Sequence, residues 1–107
     1  MQAYGREHEK TLASAQYLAD TQYNLGMYAE SVSLRRQMIE ILRRDFGETH
    51  VQTLGAEVFL IGALLRQGKW EEAREIKHRL LPIVSRVLGP SHRYTQMLLN
   101  LHRNLQI

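Results

Sequence analysis

The stretch GETHVQTL, residues 47–54, decides the fold, because related versions of it recur at a fixed interval. GREHEKTL stands at 5–12 and GPSHRYTQ at 89–96. Gly, His and Thr keep the same places in all three, and consecutive copies are 42 residues apart. A period of this length is typical of chains built from stacked copies of one supersecondary unit. The chain is therefore interpreted as one repeat domain, 1–107, with units at 5–46 and 47–88 and a half unit at 89–107.

Each unit contains two segments with the periodicity of a helix. In 11–25, Leu12, Ala15, Leu18 and Ala19 recur every three or four residues and so share one helix face. Gly26 follows and predicts the end of that helix. The same reasoning predicts further helices over 28–45, 53–67, 70–87 and 94–106. No segment alternates with period two, so the sequence predicts an all-α fold.

The Gly–His–Thr pattern is interpreted as a structural joint between helices. The Gly is expected to end one helix in a left-handed conformation, which Gly adopts at little cost. The Thr is expected to cap N–H groups of the next helix, and the His to bond a neighbouring backbone group. A metal site is the alternative. Equivalent positions in stacked helices lie roughly 8–10 Å apart, whereas zinc binds its ligands at about 2 Å, so the three histidines are not expected to share a metal ion.

The composition limits the possible classes of function. The 107 residues carry a net charge of +3 and include no cysteine, which excludes disulfides and Cys-based zinc sites. The longest apolar run, 58–65, is far shorter than the ~20 residues that span a bilayer. The N-terminus lacks the apolar segment of a signal peptide. No nucleophile elbow, P-loop or paired-His zinc motif is present. We therefore expect a cytoplasmic chain with no membrane contact, no cofactor and no enzymatic activity.

The repeating unit resembles the tetratricopeptide repeat of the kinesin light chain type, which occurs in long arrays in fungal and bacterial signalling proteins with nucleotide-binding modules. The resemblance rests on GREHEKTL, LAD (18–20), GMYAES (26–31), GETHVQTL, GKWEEA (68–73) and GPSHRYT. It implies a right-handed superhelical solenoid of antiparallel helix pairs, with about two and a half repeats. It also implies that the first helix of each pair lines a concave groove, and that this groove binds a peptide or a segment of a partner protein.

Carrying the family's groove positions over to this chain gives a set of candidate partner-binding residues. They are Gln16, Tyr17, Asp20, Tyr23, Asn24, Val58, Phe59, Gly62, Leu65, Arg66, Leu101 and Asn104, with Gly55, Met97 and Asn100 as further positions on the same helices. Tyr17, Phe59 and Leu101 are equivalent positions at which some family members carry asparagine, so a carboxylate clamp is not expected. These three either form an apolar stripe for a partner or fill the interior. Gly55 and Gly62 would let another backbone approach closely.

The second helices are basic, and the resemblance places them on the convex wall. Their cations are Arg35, Arg36, Arg43, Arg44, Arg74, Lys77, Arg79 and Arg86. Glu40, Glu72 and Glu75 are interleaved at helical spacings, which predicts a solvated face of ion pairs. Nucleic-acid binding by this face is the weaker alternative, because it lacks interleaved stacking aromatics.

The two ends of the chain suggest another function. Residues 1–4 match the ends of the second and fourth helices, with Tyr4 in the place of Phe46 and Leu88. They are interpreted as the tail of a preceding helix, and the chain as a fragment of a longer array. Solenoid ends without a neighbour expose apolar surface. Self-association through such ends, as a homo-oligomerisation unit of a larger signalling protein, is therefore the alternative to partner binding.

Overall fold

The computed structural model describes the backbone of residues 3–105 and the side chains of residues 10–101. It contains five helices, which are α1 (Ala3–Asn24), α2 (Tyr28–Phe46), α3 (Val51–Arg66), α4 (Trp70–Leu88) and α5 (Arg93–Leu105). Strands are absent from residues 3–105, which confirms the all-α prediction. Helices α2 to α5 agree with the predicted segments to within two residues at each end.

The first helix differs from its prediction at its N-terminal end. Helix α1 begins at Ala3 and runs through Gly5, so the predicted joint at Gly5 is wrong. Residues 3 and 4 belong to α1 itself and do not form the tail of another helix, while residues 1 and 2 lie outside the described part. The reason is that glycine inside a helix, although less favourable than alanine by about 1 kcal/mol, does not by itself end the helix.

The two helices of each pair are joined by tight turns of one type. At the end of α3, the Lys69 N–H donates to the carbonyl of Leu64 at 2.9 Å, and the Gly68 N–H to that of Leu65 at 3.0 Å. This hydrogen-bond pattern is the Schellman motif, which needs a positive φ at its glycine; φ is 81° at Gly68 and 83° at Gly26. The turn reverses the chain, so α1 packs against α2 and α3 against α4.

The helices form two layers around a core centred on α3. Each helix packs against the next along the chain, and α3 also packs against α5. The principal extents are 45 × 32 × 19 Å, and the shortest matches two helices of about 10 Å diameter. Helices α1, α3 and α5 thus share one layer, and α2 and α4 the other. The central side chains are the fully buried Leu54, Ile61, Leu64, Leu80, Val84 and Leu98. Helix α4 continues without interruption through Pro82, which is exposed.

Candidate functional site

The second and third copies of the Gly–His–Thr stretch form joints of the same geometry. Gly47 has φ 99° and ψ 161°, and Gly89 has φ 95° and ψ 156°. Both have the expected positive φ, but their ψ is extended and not left-handed helical, a combination found almost only in glycine. The hydroxyl of Thr53 donates to the Gly47 carbonyl at 2.8 Å, and that of Thr95 to the Gly89 carbonyl at 2.7 Å.

Histidine, and not threonine, caps the helix that follows each joint. The Nδ1 atom of His50 accepts a hydrogen bond from the Gln52 N–H at 3.1 Å, and Nδ1 of His92 accepts one from the Tyr94 N–H at 3.1 Å. The predicted backbone bond of the histidine is confirmed, and the predicted Thr cap is wrong. Thr53 lies inside the first turn of α3, where its hydroxyl reaches back to the preceding carbonyl. The side chain of His8 lies outside the described residues. Among side chains 10–101, no group of three His, Asp or Glu could hold a metal ion.

Two cavities lie on the layer formed by α1, α3 and α5. The larger, here called the groove cavity, has a volume of about 750 Å³ and is lined by Asp20, Tyr23, Asn24, Arg35, Val58, Phe59, Gly62, Met97, Asn100 and Leu101. The smaller, the joint cavity, has about 420 Å³ and includes Leu12, Gln16, Gln52, Gly55 and Tyr94 in its lining. Arg35 and Phe59 line both, so these two side chains separate the cavities. The larger volume is within the usual range of ligand pockets.

Most of the candidate groove residues surround the groove cavity. Seven of the twelve line it directly: Asp20, Tyr23, Asn24, Val58, Phe59, Gly62 and Leu101. Gln16 lines the joint cavity instead. Leu65 packs against the core, and Tyr17 is 76% exposed and lines neither cavity. The proposed stripe is therefore incomplete, because Tyr17 does not join Phe59 and Leu101. The side chain of Asn104 lies outside the described residues.

The rim of the groove cavity is ordered by Tyr23 and Arg66. Nε of Arg66 donates to the hydroxyl of Tyr23 at 3.1 Å, and this acceptor raises the pKa of Arg66 above its ordinary value. The ring of Tyr23 in turn meets Tyr28 edge to face, with centroids 5.3 Å apart. These contacts fix one margin of the cavity between α1 and α3.

Arg35 belongs to this site and not to the convex wall, so the prediction for this residue is wrong. Its side chain is buried, with 3% exposure. It forms an ion pair with Asp20 of α1, and its guanidinium carbon lies 5.2 Å from the centroid of Phe59. A buried charge needs such a partner. The available signal was its register, because Arg35 lies three and four residues from the apolar Val32 and Ile39.

Lys77 is the equivalent of Arg35 in the second unit and is also misassigned to the convex wall. Its side chain is buried, and burial lowers the pKa of Lys77 below its ordinary value. Position 62, the equivalent of Asp20 one repeat later, is glycine.

Several of the other basic residues of α2 and α4 form ion pairs, and of the acids predicted as partners Glu72 takes part. The buried carboxylate of Glu57 accepts from Arg43 at 2.7 Å and also binds Arg79. Arg36 binds Glu72 at 2.6 Å. Glu57 therefore ties α2 and α4 to α3, and these arginines are engaged within the chain.

The two glycines inside α3 have different surroundings. At Gly55, an added Cβ would lie 2.6 Å from the Tyr94 hydroxyl, so the side chain of Tyr94 packs directly on the Gly55 backbone. The close approach expected here is therefore made by a side chain and not by a backbone. At Gly62, an added Cβ would meet nothing within 4 Å, because this glycine borders the groove cavity.

No protein-family model, curated protein or solved structure matches the chain. Of the helices within the described backbone, none is both long and apolar enough to cross a membrane. The function is therefore inferred from the geometry of the groove cavity and its surroundings.

Proposed function

We propose that the chain is a non-catalytic protein-interaction module of the tetratricopeptide type, whose groove cavity binds a segment of a partner protein. The observation that carries this proposal is the groove cavity itself, about 750 Å³ in volume and lined by residues of α1, α3 and α5 together with Arg35 of α2. The proposed setting is a cytoplasmic scaffold or signalling protein.

The chemistry of the cavity suits a protein segment. Its floor and walls are apolar, with Val58, Phe59, Met97 and Leu101. Its polar side chains include Asp20, which is half exposed. Pockets of this composition gain affinity from apolar burial, at about 25 cal/mol per Å² removed from water, and orientation from a few polar groups.

The repeat supports the proposed architecture. The units share a 42-residue period, the two joints share one geometry, and each helix packs against its neighbour along the chain. A right-handed superhelical solenoid continues such an arrangement, with α1, α3 and α5 on its concave side. Nucleic-acid binding is the weaker candidate, because several arginines of α2 and α4 are already paired with carboxylates.

Self-association is a second candidate, and one comparison favours it. Leu18 and Leu60 are equivalent positions of the repeat, yet Leu18 is 49% exposed and Leu60 only 4%. Tyr17 and Leu25 are exposed as well, at 76% and 71%. The outer face of α1 therefore presents apolar surface that a second copy of the chain would cover.

The test of partner binding is selection from a random peptide library on the full chain, followed by calorimetry with the selected peptides. Gly62→Leu places a side chain into the groove cavity without removing any existing contact. We expect it to weaken binding at least about tenfold, equivalent to ~1.4 kcal/mol. Phe59→Asp would weaken binding too. Because Phe59 also packs against Tyr94, a loss of affinity in that variant could come from lost stability as well as from lost contacts with the peptide.

The control is Arg44→Glu, an exposed position of α2, which should leave affinity unchanged. Circular dichroism must show equal helicity in all variants. Peptides that bind the wild type and Gly62→Leu equally well would place the site elsewhere, and a selection that yields no binding peptide would contradict the module itself.

A further inference from the structure

Phe59 lies between two glycines of α3, and only one of them is covered. Gly55 precedes Phe59 by four residues and Gly62 follows it by three, so all three positions lie on one face of the helix. Neither glycine has a Cβ, which leaves a gap at each position. The two gaps open into different cavities, the joint cavity at Gly55 and the groove cavity at Gly62, and Phe59 lines both.

The gap at Gly55 shows what occupies such a place. The ring of Tyr94 lies directly on the Gly55 backbone, where a Cβ would be 2.6 to 2.8 Å from three of its atoms. The same ring meets Phe59 edge to face, with centroids 6.0 Å apart and an interplanar angle of 86°. Aromatic pairs prefer this arrangement, because the positive edge of one ring faces the negative face of the other.

The gap at Gly62 also combines a glycine backbone with a cavity that Phe59 lines. No described residue occupies this gap. No atom lies within 4 Å of the place of a Cβ, and Gly62 is not among the glycines with positive φ. Its backbone therefore does not require glycine. Glycine inside a helix is also destabilising relative to alanine, so backbone conformation does not account for this residue. What glycine does provide at position 62 is space in the cavity that Phe59 also lines.

We propose that the groove cavity takes an aromatic side chain of the partner segment, with its ring over Gly62 and edge to face with Phe59, as Tyr94 lies over Gly55. This inference rests on the proposed partner-binding function and names the chemistry of the ligand. A flat ring approaches a backbone without Cβ more closely than a branched aliphatic side chain does. Met97 and Leu101 supply the opposite apolar wall, and thioether sulfur packs well against aromatic rings.

The polar residue Asp20 at the margin of the groove cavity favours an aromatic side chain that carries a hydrogen-bond donor. Asp20 lines the cavity with its carboxylate half exposed. One of its oxygens binds Arg35, and a carboxylate has further acceptor sites. A tyrosine O–H or a tryptophan N–H at the edge of the ring would donate to it, which phenylalanine cannot do. Tyrosine and tryptophan are thus expected to bind better than phenylalanine.

The test uses the full chain with ¹³C-labelled methionine methyl groups and three probes: N-acetyl-tyrosinamide, N-acetyl-phenylalaninamide and N-acetyl-leucinamide. The Met97 methyl signal is assigned with Met97→Leu. We expect the aromatic probes to shift it upfield in a saturable manner, through the ring current. The tyrosine probe should bind about fivefold more tightly than the leucine probe, given the usual gain of an aromatic pair.

Gly62→Val should abolish the upfield shift, and Gly62→Ala should weaken it with the fold retained. Ala29→Val adds similar bulk at an exposed position of α2 and should change nothing. Equal binding of the leucine and tyrosine probes would overturn the aromatic preference. If library peptides bind and depend on Gly62 while no aromatic probe shifts Met97, the inference fails and the proposed function stands. If neither peptides nor probes bind, both fail.

Discussion

At the scale of single residues, two equivalent positions of the repeat border the groove cavity with different chemistry. Position 20 is aspartate and pairs with the buried Arg35. Position 62, its equivalent, is glycine, and the cation of that unit is the buried Lys77. One border of the cavity therefore carries a carboxylate, and the other is backbone without a side chain.

The two interior glycines of α3 predict opposite responses to the same substitution. Gly62→Ala should stabilise the chain by about 1 kcal/mol, since alanine favours the helix by that amount and meets no neighbour. Gly55→Ala should destabilise it by roughly 1–3 kcal/mol, because the Tyr94 ring must move. Urea denaturation of the two variants measures both changes. A destabilising Gly62→Ala would show that the space beside Gly62 is filled.

At the scale of elements, the joints set the direction in which each pair of helices follows the last. At the first joint, the Thr53 hydroxyl fixes the Gly47 carbonyl and the His50 imidazole caps α3. Both bonds recur at the second joint with nearly equal lengths. Because the same three residue types make the same bonds, the second and third units join their predecessors in one way.

Substitutions at the first joint should separate its two hydrogen bonds. Thr53→Val keeps the shape of the side chain but leaves the Gly47 carbonyl with the long hydrogen bond from the His50 N–H, at 3.4 Å. We expect a loss of about 1–3 kcal/mol because Thr53 is fully buried. His50→Ala removes a helix cap and should cost about 1 kcal/mol. Thr49→Ala, an exposed neighbour, is the control. Thermal unfolding by calorimetry measures the loss of stability in each of the three variants. A larger loss for His50→Ala than for Thr53→Val would contradict the roles assigned to the two residues.

Elemental analysis of the purified chain tests the alternative of a metal site. A stoichiometric transition metal would argue for a metal site and against a structural joint.

At the scale of the whole molecule, the outer face of α1 is an exposed apolar surface. Over 11–25, Asp20 is the only charged residue. Tyr17, Leu18 and Leu25 are 76%, 49% and 71% exposed. A helix face without charge normally lies against another element. Two copies of this face can pair about a two-fold axis without repulsion between like charges, which closes the contact at a dimer.

We therefore expect light scattering to give a mass that rises above 12.5 kDa as the concentration increases. Leu18→Glu should return the mass to that of the monomer, because pairing would then bury two carboxylates. Trp70→Glu is the matched control, since Trp70 is equally exposed but begins α4. A mass that stays near 12.5 kDa to high micromolar concentration would leave partner binding as the only candidate.

The sequence by itself determined the elements and the joints of this chain. Helix periodicity and glycine positions depend on neighbours within a few residues, so α2 to α5 were predicted closely. The start of α1 was missed because the Gly5 pattern is the same whether or not a helix precedes it. The resemblance to the tetratricopeptide repeat supplied twelve candidate groove positions, and seven of them line the groove cavity.

Only the tertiary structure decided which of these positions are buried, covered or empty. The burial of Arg35 follows from where α1 and α3 lie around it, whereas Tyr17 is 76% exposed and lines neither cavity. Gly55 and Gly62 look alike in sequence, yet one is covered by Tyr94 of α5 and the other borders the groove cavity. Such contacts join residues far apart along the chain, so no local pattern records them, and packing alone determines them.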